Sequence, residues 1–303
     1  MDRTPWPSVA SEASRSVPPK VGIVVANFNT RLLISQLVFS LYRLLGRTEF
    51  DHVVVVDNAS TDGSVEVLEA LQTAGLISLV RNASQQYHGP ALTQGVSWLA
   101  RRQQALSPEA RLDYVWALDS DVVVLRPDTA RDALNELRAS NAAAVGPPID
   151  EPMYNRLLLN NGALLHPFSL ILDPALLWQP SIPPFVEDGT PAAALQVGAD
   201  AQGLVLTGFP FVEDGYLIHL GRGTLRQIAE LGDSANRYYD WARAHREPHF
   251  SGEARAADAY GAFCELFEAE VGELSSETLV AACRREALLT PSRTHERPGP
   301  AIP

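Results

Sequence analysis

Short apolar runs alternate with helix-like segments along the first half of the chain, and the first such unit shows the pattern clearly. Residues Val21–Ala26 (VGIVVA) form an apolar run rich in β-branched side chains, as expected for a buried strand. After a polar loop, leucines recur at helical spacing between Leu33 and Leu45. Gly46 follows, at a position where a helix typically ends. The pattern predicts a strand, a loop and a helix in that order.

The same unit recurs up to about residue 145. The further predicted strands are short and apolar: Val53–Val56, Ile77–Val80, Tyr114–Leu118 and Ala142–Val145. The helices predicted between them are Val65–Ala74, Pro90 to about Arg102, and Thr129–Ala139. Strands and helices that alternate at these lengths are typical of an α/β fold with a mostly parallel sheet and helices on both faces.

Composition divides the chain into a central domain and its flanks. Residues 1–19 are rich in serine and proline and lack periodicity, which predicts a flexible tail. Residues 225–290 are rich in alanine and glutamate and predict a mainly helical C-terminal region. Residues 291–303 contain four prolines and predict a second, disordered tail. The predicted globular domain therefore covers residues 20–224.

Charge and apolar content exclude several classes of partner. The 303 residues carry a formal net charge of −12, which disfavours nucleic acid and anionic membrane surfaces as partners. The longest apolar region, Leu157–Trp178, is interrupted by asparagine, proline and aspartate, so we expect no integral membrane segment. The N-terminus lacks the apolar core of a signal peptide, which predicts a soluble, cytoplasmic protein.

The two cysteines suggest neither a disulfide framework nor a structural zinc site. Cys264 and Cys283 are the only cysteines in the chain, and both lie in the predicted helical region. Two cysteines are too few for either kind of site, and reduced thiols in or near a core are expected.

Polar residues follow the predicted strands at the points where they end. In parallel α/β sheets, ligands bind beyond the carboxyl ends of the strands. The residues at these ends are Asn27 and Asn29, Asp57 and Asn58, Arg81 and Asn82, and Asp119 and Asp121. We therefore expect the functional site among them.

The D-x-D sequence at Asp119 and Asp121 indicates a cation site. In extended backbone, residues two apart point the same way, and two carboxylates so placed repel each other unless a cation joins them. Carboxylate oxygens favour Mg²⁺ or Mn²⁺, which commonly bind phosphate oxygens as well. A solvated turn is the alternative interpretation of this short sequence.

Asp57 ends the valine strand, where dinucleotide-binding folds place an acidic residue that binds a ribose hydroxyl. Those folds need a glycine-rich turn after the first strand, whereas ANFNT contains no glycine. A nicotinamide cofactor is therefore disfavoured. Asp57 remains suited to accept hydrogen bonds from a base or a ribose, or else to cap the next helix.

Three segments carry a resemblance to a known family. VGIVVANFNTRLL, VVVVDNASTDGS and YVWALDSDV, in this order, resemble the family 2 inverting glycosyltransferases of the GT-A fold, over about residues 20–225. The resemblance implies a Rossmann-like sheet and a hexosyltransferase type of activity. It also implies a nucleotide-diphosphate sugar donor, of UDP or dTDP type, and a divalent metal, Mn²⁺ or Mg²⁺.

The resemblance assigns roles to individual residues. It implies a metal site formed by Asp121, Asp119 and His219, although a lone histidine beside an apolar strand is also an ordinary core or surface residue. The residues expected at the nucleotide or the phosphates are Asn27, Asn29, Asp57, Asn58, His88, Gly89, Asp119, Ser120, Arg222 and Thr224. For His88, which lies in YHGPALTQG, an ordinary helix-start residue is the alternative.

The sequence FVEDG occurs twice, at Phe185–Gly189 and Phe211–Gly215. In the family, a Glu-Asp pair precedes a helix, a glycine, a strand and then a histidine. The first copy fits this order, since a predicted helix at 192–201 and a strand-like segment at 204–209 follow it. The resemblance thus implies that Asp188 is the catalytic base and that Glu187 orients it or the acceptor. Acids favoured by the helix dipole are the alternative.

Two other functional classes remain as alternatives. A phosphohydrolase of the haloacid dehalogenase type also uses D-x-D, but on its first strand and with a downstream lysine. Lys20 is the only lysine here, which disfavours that class. A nucleotide-sugar-binding module without turnover is the other alternative. The acceptor is expected to be a saccharide, a natural product or a protein, and the C-terminal helices could join copies into a homo-oligomer.

Overall fold

A seven-stranded, mostly parallel sheet forms the centre of the protein. The computed structural model describes residues 3–7, 19–46, 48–149, 159–186, 192–220, 254–272 and 274–289. The strands of the sheet are β1 (Val21–Asn27), β2 (His52–Asp57), β3 (Ser78–Arg81), β4 (Tyr114–Asp119), β6 (Ala144–Gly146), β7 (Ser169–Leu172) and β8 (Leu206–Gly208). Their order in the sheet is β3-β2-β1-β4-β7-β6-β8. A separate pair joins β5 (Val122–Val124) to β9 (Leu217–His219).

Eight α-helices flank the sheet in the described part of the chain. They are α1 (Arg31–Ser40), α2 (Ser64–Thr73), α3 (His88–Gln104), α4 (Thr129–Ala139), α5 (Pro174–Leu177), α6 (Ala193–Asp200), α7 (Ala254–Val271) and α8 (Ser276–Leu289). Helix α1 continues as a π-helical turn over Leu41–Leu45, and Gly46 ends it with a φ of 70°. The predicted fold class, a mostly parallel sheet with flanking helices and a helical C-terminal extension, is confirmed.

The sheet is covered on both faces, which explains its apolar strands. All seven residues of β1 are buried. Ile23 and Val25 pack in one apolar cluster with α1, α2 and the C-terminal helices, whereas Val24 and Ala26 pack in the other with α3 and α6. Because successive side chains point to opposite faces, a strand covered on both sides must be apolar throughout.

The antiparallel strand β7 and the β5–β9 pair were not predicted. Strand β7 is a four-residue apolar run that pairs antiparallel with β4 and β6. A run this short has no periodicity that distinguishes a buried strand from another apolar segment. Its place between β4 and β6 makes the sheet mixed rather than wholly parallel.

The C-terminal helices are part of the packed structure. The ring of Phe39 on α1 lies 5.8 Å from that of Phe263 and 5.3 Å from that of Phe267, both on α7. Arg43 and Glu270 form an ion pair at 3.1 Å. Helix α8 contacts α1 and α2. The described part of the predicted helical region is thus helical and completes the apolar layer on one face of the sheet.

Residues 3–7 differ from the flexible tail predicted for residues 1–19. Arg3 donates a hydrogen bond of 2.8 Å to the carbonyl of Gln179, and its guanidinium lies 4.0 Å from the centre of the Trp178 ring. Trp6 is buried. An arginine and a tryptophan within a Ser- and Pro-rich segment give no periodic signal, yet Arg3 fixes this stretch to the segment after α5 and Trp6 joins an apolar cluster of the core. The tail predicted at 291–303 lies outside the described residues.

None of the helices in the described part of the chain combines the length and the apolar composition that a membrane crossing requires.

Candidate functional site

The carboxyl ends of the parallel strands meet at one edge of the sheet, as expected from the sequence. In the register of the sheet, Asn27 at the end of β1 lies opposite Asp57 at the end of β2. Asp119 at the end of β4 lies opposite Ala26. Three of the predicted site residues are therefore brought together by strand pairing alone.

Asp119, Asp121 and His219 form a cluster that could hold a metal ion. The chain turns at Ser120 and Asp121 between β4 and β5, and Val122 then pairs with His219 on β9. Nε2 of His219 lies 3.2 Å from Oδ1 of Asp121 and 3.9 Å from Oδ2 of Asp119. One candidate ligand atom from each residue lies within 4.8 Å of the others. The cluster thus depends on the β5–β9 pair, which sequence reasoning missed.

The two carboxylates converge by a different route from the one predicted. The sequence argument placed Asp119 and Asp121 on one face of extended backbone. In the structure a turn separates β4 from β5, and Asp121 lies in that turn. The backbone N–H of Leu220 donates a 2.9 Å hydrogen bond to the carbonyl of Asp121, which fixes the turn to the end of β9.

The cluster favours positive charge. Burial alone lowers the pKa of His219, but the carboxylates of Asp121 and Asp119 outweigh it, so this pKa lies above its ordinary value. The ring of Phe168 stacks on His219 at 4.2 Å, with 12° between the planes. Two carboxylates and one imidazole, with the ring held in place by stacking, are a suitable donor set for a divalent cation.

The loop after β1 is held by a continuous hydrogen-bond network. Asn27 Nδ2 donates to Oδ1 of Asp57 at 2.8 Å, and the Thr30 hydroxyl donates to Oδ1 of Asn27 at 2.6 Å. The Thr30 hydroxyl also lies 3.1 Å from that of Ser120. This network links the end of β2 to the D-x-D turn, and Thr30 was not among the predicted site residues.

Asp57 and Asn29 organise the neighbouring loop. Asp57 is 1% exposed and accepts hydrogen bonds from the backbone N–H and the hydroxyl of Ser60 in addition to Asn27. Oδ1 of Asn29 accepts the N–H of Thr61 at 2.7 Å. The structure therefore shows these residues as supports of the loop between β2 and α2, and base contact by Asp57 stays a prediction.

Asn58 connects this loop to the start of α3. Its Nδ2 donates a 3.0 Å hydrogen bond to the carbonyl of Tyr87, and its Oδ1 accepts one of 2.9 Å from Asn82. Tyr87 has φ 63° and ψ 175°, a conformation that is rare outside glycine, and its side chain is exposed. The helix begins at His88 rather than at Pro90 as predicted.

His88 contacts the D-x-D sequence. Its Nε2 lies 3.0 Å from Oδ1 of Asp119. Burial lowers the pKa of His88, but the carboxylates of Asp119 and Asp121 together outweigh it, so this pKa lies above its ordinary value. The ring therefore faces the candidate metal cluster. It has a specific partner there, unlike an ordinary helix-start residue.

Gly89 allows the segment before Glu187 to approach α3 closely. A Cβ atom at Gly89 would lie 2.1 Å from the carbonyl oxygen of Val186. The hydroxyl of Thr93 donates a 2.7 Å hydrogen bond to the carbonyl of Phe185. The first FVEDG copy is thus anchored beside His88 as far as Val186. Glu187 and Asp188 lie outside the described residues, as do Arg222 and Thr224.

The second FVEDG copy forms a surface turn. Phe211 is buried. The centre of its ring lies 6.3 Å from that of Trp116, a residue of β4, in a stacked arrangement. Glu213 and Asp214 are exposed, and Gly215 closes the turn with a φ of 68°. Strand β9 follows directly, without an intervening helix, as the sequence analysis expected for this copy.

Comparison with known families identifies the region that carries most of these residues. The family model described as glycosyl transferase family 2 matches residues 22–169. The resemblance predicted from the strand-end motifs is thereby confirmed over this region. It includes Asp57, His88, Asp119 and Asp121, and it ends before Glu187, Asp188 and His219.

Several solved structures show some similarity to this chain. A mannosyltransferase from Pyrobaculum calidifontis, solved with GDP-Man and Mn²⁺, is 17% identical, with 94% of this chain and 90% of that chain covered and a TM-score of 0.48. TarS residues 1–349 from S. aureus are 16% identical, with 88% and 82% covered and a TM-score of 0.47. Glucosyl-3-phosphoglycerate synthase from Mycobacterium tuberculosis is 19% identical, with 63% and 68% covered and a TM-score of 0.45.

A comparison with curated proteins gave no match.

Proposed function

We propose, on the premise that residues 22–169 belong to glycosyl transferase family 2, that this protein is a metal-dependent inverting glycosyltransferase. It transfers a hexosyl group from a UDP- or dTDP-type sugar to an acceptor hydroxyl. The observation that carries the proposal is the cluster of Asp119, Asp121 and His219 at the carboxyl edge of the sheet. A divalent ion at this place would bind the phosphates of the donor, and the donor set suits one.

Asp119, Asp121 and His219 would hold a divalent ion, either Mn²⁺ or Mg²⁺. When bound, the ion stabilises the charge that develops on the departing diphosphate. The network from Asp57 through Asn27 and Thr30 keeps the surrounding loop rigid, so that the carboxylates remain in place for the donor. Arg222 and Thr224 are proposed to contact the phosphate oxygens.

Asp188 is the proposed general base, and Glu187 the residue that orients it or the acceptor. The acceptor oxygen forms a bond to the anomeric carbon while the bond between that carbon and the diphosphate oxygen breaks. The acceptor proton passes to the Asp188 carboxylate. General-base help of this kind contributes about 10²–10⁴-fold to the rate. The position of Val186 supports this assignment, because Val186 directly precedes Glu187 in the sequence and packs against Gly89, the neighbour of His88.

A thermal-shift screen of nucleoside diphosphates, each with and without Mn²⁺, tests the proposal. One or two nucleotides should raise the unfolding temperature in the presence of Mn²⁺ and have a much smaller effect without it, because ligand binding to the native state stabilises it. If every nucleotide acts independently of metal, the proposed site is wrong. If binding depends on metal but no donor is hydrolysed or transferred, the chain is a binding module without turnover.

A further inference from the structure

The C-terminal helices reach the proposed nucleotide site through one arginine. Arg31 is the first residue of α1 and directly follows the loop that ends at Thr30. Its Nη2 donates a 2.9 Å hydrogen bond to the carbonyl of Leu274, in the connection between α7 and α8. We infer that Arg31 is a positioning residue through which the C-terminal helices support the nucleotide-binding loops. This inference rests on the proposed function and deepens it.

Two loops of the proposed site are joined at the start of α1. The backbone N–H of Arg31 donates a 2.7 Å hydrogen bond to Oδ2 of Asp62, in the loop between β2 and α2. Oδ1 of the same carboxylate accepts hydrogen bonds from the N–H and the hydroxyl of Ser64. Two residues before Arg31, Oδ1 of Asn29 accepts the N–H of Thr61. Because the two loops are bonded to each other here, a displacement of Arg31 would be passed to both.

The side chain of Arg31 packs on the second of these loops. Gly63 has a φ of 86°, and a Cβ atom there would lie 3.3 Å from Cδ of Arg31. The apolar stem therefore contacts the loop, while the guanidinium at its end is bonded to Leu274. The carbonyl of Leu274 fixes the end of the side chain, and the stem in turn holds the loop between β2 and α2 against α1.

The acceptor carbonyl belongs to a well-packed part of the molecule. Helix α7 packs on α1 through Phe263 and Phe267, and helix α8 contacts both α1 and α2. Leu274 itself packs against the apolar cluster on this face of the sheet. Surface loops are generally more mobile than the elements they connect, so a bond to this packed region restrains them. The family model, which matches residues 22–169, does not include these helices.

The test titrates UDP and dTDP, each with Mn²⁺, into the whole protein by isothermal titration calorimetry. Arg31→Met keeps an apolar stem over Gly63 and removes the guanidinium. It should raise the dissociation constant about 3–30-fold, the range for residues that act on a site through others. Arg31→Lys keeps a cationic donor and should recover most of the affinity, because a single bond to one carbonyl does not need the planar fork of arginine.

Arg43→Met is the matched control. Arg43 lies in the π-helical turn after α1, roughly 18 Å along the helix from Arg31. It forms an ion pair with Glu270 of α7, so the variant removes the same group from another contact with the C-terminal helices. The affinity should stay at the wild-type level. Equal losses in Arg31→Met and Arg43→Met would overturn the inference, as would an unchanged affinity in Arg31→Met or an Arg31→Lys protein as weak as Arg31→Met.

Two further results separate this inference from the proposed function. If the wild type binds neither diphosphate, the proposed function is wrong and the inference is wrong with it. If the wild type binds one of them and Asp121→Ala removes the metal dependence, but Arg31→Met binds as tightly as the wild type, the inference alone is wrong. Thermal unfolding without ligand shows whether each variant is folded.

Discussion

Nε2 of His219 lies 3.2 Å from Oδ1 of Asp121, although the two residues come from distant parts of the chain. The pairing of β5 with β9 places His219 directly opposite Val122, the residue after Asp121. A short antiparallel pair, separate from the main sheet, therefore completes the candidate metal centre. The geometry makes His219 a specific candidate ligand, whose contribution can be measured apart from that of the carboxylates.

His219→Ala should weaken Mn²⁺ binding more than Mg²⁺ binding. Mg²⁺ prefers oxygen ligands, so the loss of an imidazole costs it less than it costs a transition metal ion. We expect the Mn²⁺ dissociation constant to rise at least about 10–100-fold, the range for losing an outer-shell partner. Parallel titrations with the two ions measure the difference. An equal loss for both ions would indicate that the imidazole supports the site without binding the metal.

Asp188→Asn should reduce sugar transfer about 10²–10⁴-fold while the affinity for the donor nucleotide stays close to that of the wild type, because the change removes a proton acceptor and keeps the shape of the side chain. Single-turnover transfer and nucleotide titration measure the two quantities.

The repeated FVEDG sequence provides the control for that variant. Asp214→Asn makes the same change in the same local sequence, at an exposed turn that follows Phe211. It should transfer sugar at the wild-type rate. If Asp188→Asn and Asp214→Asn lose activity equally, the result does not support Asp188 as the base. If neither does, the assignment of the first copy is wrong.

The sequence predicted the sheet edge better than the complete site. Asn27, Asp57 and Asp119 could be placed together because each ends an apolar strand, and parallel strands end at one edge. The link between Asp121 and His219 could not be predicted in this way. It depends on three-residue strands, β5 and β9, whose pairing is set by tertiary contacts.

The contact between His88 and Asp119 was also beyond the reach of sequence patterns. The sequence indicates a nucleotide-site residue or a helix start at His88, since the resemblance places it only near the nucleotide. Its direction depends on the backbone of Tyr87, and no residue-type preference predicts a tyrosine at φ 63° and ψ 175°. Strained positions of this kind are where local rules fail, and they often accompany function.

Gly89→Ala should impair transfer although it alters no charged or polar side chain. The new Cβ would lie 2.1 Å from the carbonyl oxygen of Val186, so the segment leading to Glu187 and Asp188 must move. Overpacking of this kind typically costs about 1–3 kcal/mol of stability. Urea unfolding and a transfer assay measure both effects.

Gly261→Ala is the control for overpacking, because a Cβ at Gly261 meets no atom within 4 Å. Gly261 lies inside helix α7, where alanine is favoured over glycine by about 0.5–1 kcal/mol. This variant should be as stable as the wild type or slightly more so, with unchanged transfer. If Gly89→Ala has normal stability and normal transfer, the close approach of Val186 to α3 is not required for either property.

Tyr87→Gly should raise the free energy of unfolding by up to about 2 kcal/mol. A non-glycine residue in this conformation carries about 1–3 kcal/mol of strain, of which the greater flexibility of an unfolded glycine offsets about 0.4–1 kcal/mol. Tyr87 is 40% exposed, so removal of its side chain also loses some packing, which brings the net gain below this upper limit. Asn141→Gly, at φ 49°, is the control and should change stability by a few tenths of a kcal/mol, since asparagine tolerates this region.

The Mn²⁺ affinity of Tyr87→Gly shows whether the strained backbone at this position supports the metal site. If Tyr87→Gly is more stable and binds Mn²⁺ less tightly, the strained backbone serves to aim His88 at Asp119, and its cost in stability is retained for the site. If the free energy of unfolding and the Mn²⁺ affinity both rise, the strained conformation lowers stability without any benefit to metal binding. A loss of stability in urea unfolding would contradict the strain itself and would indicate that the tyrosine side chain makes a larger contribution than its exposure suggests.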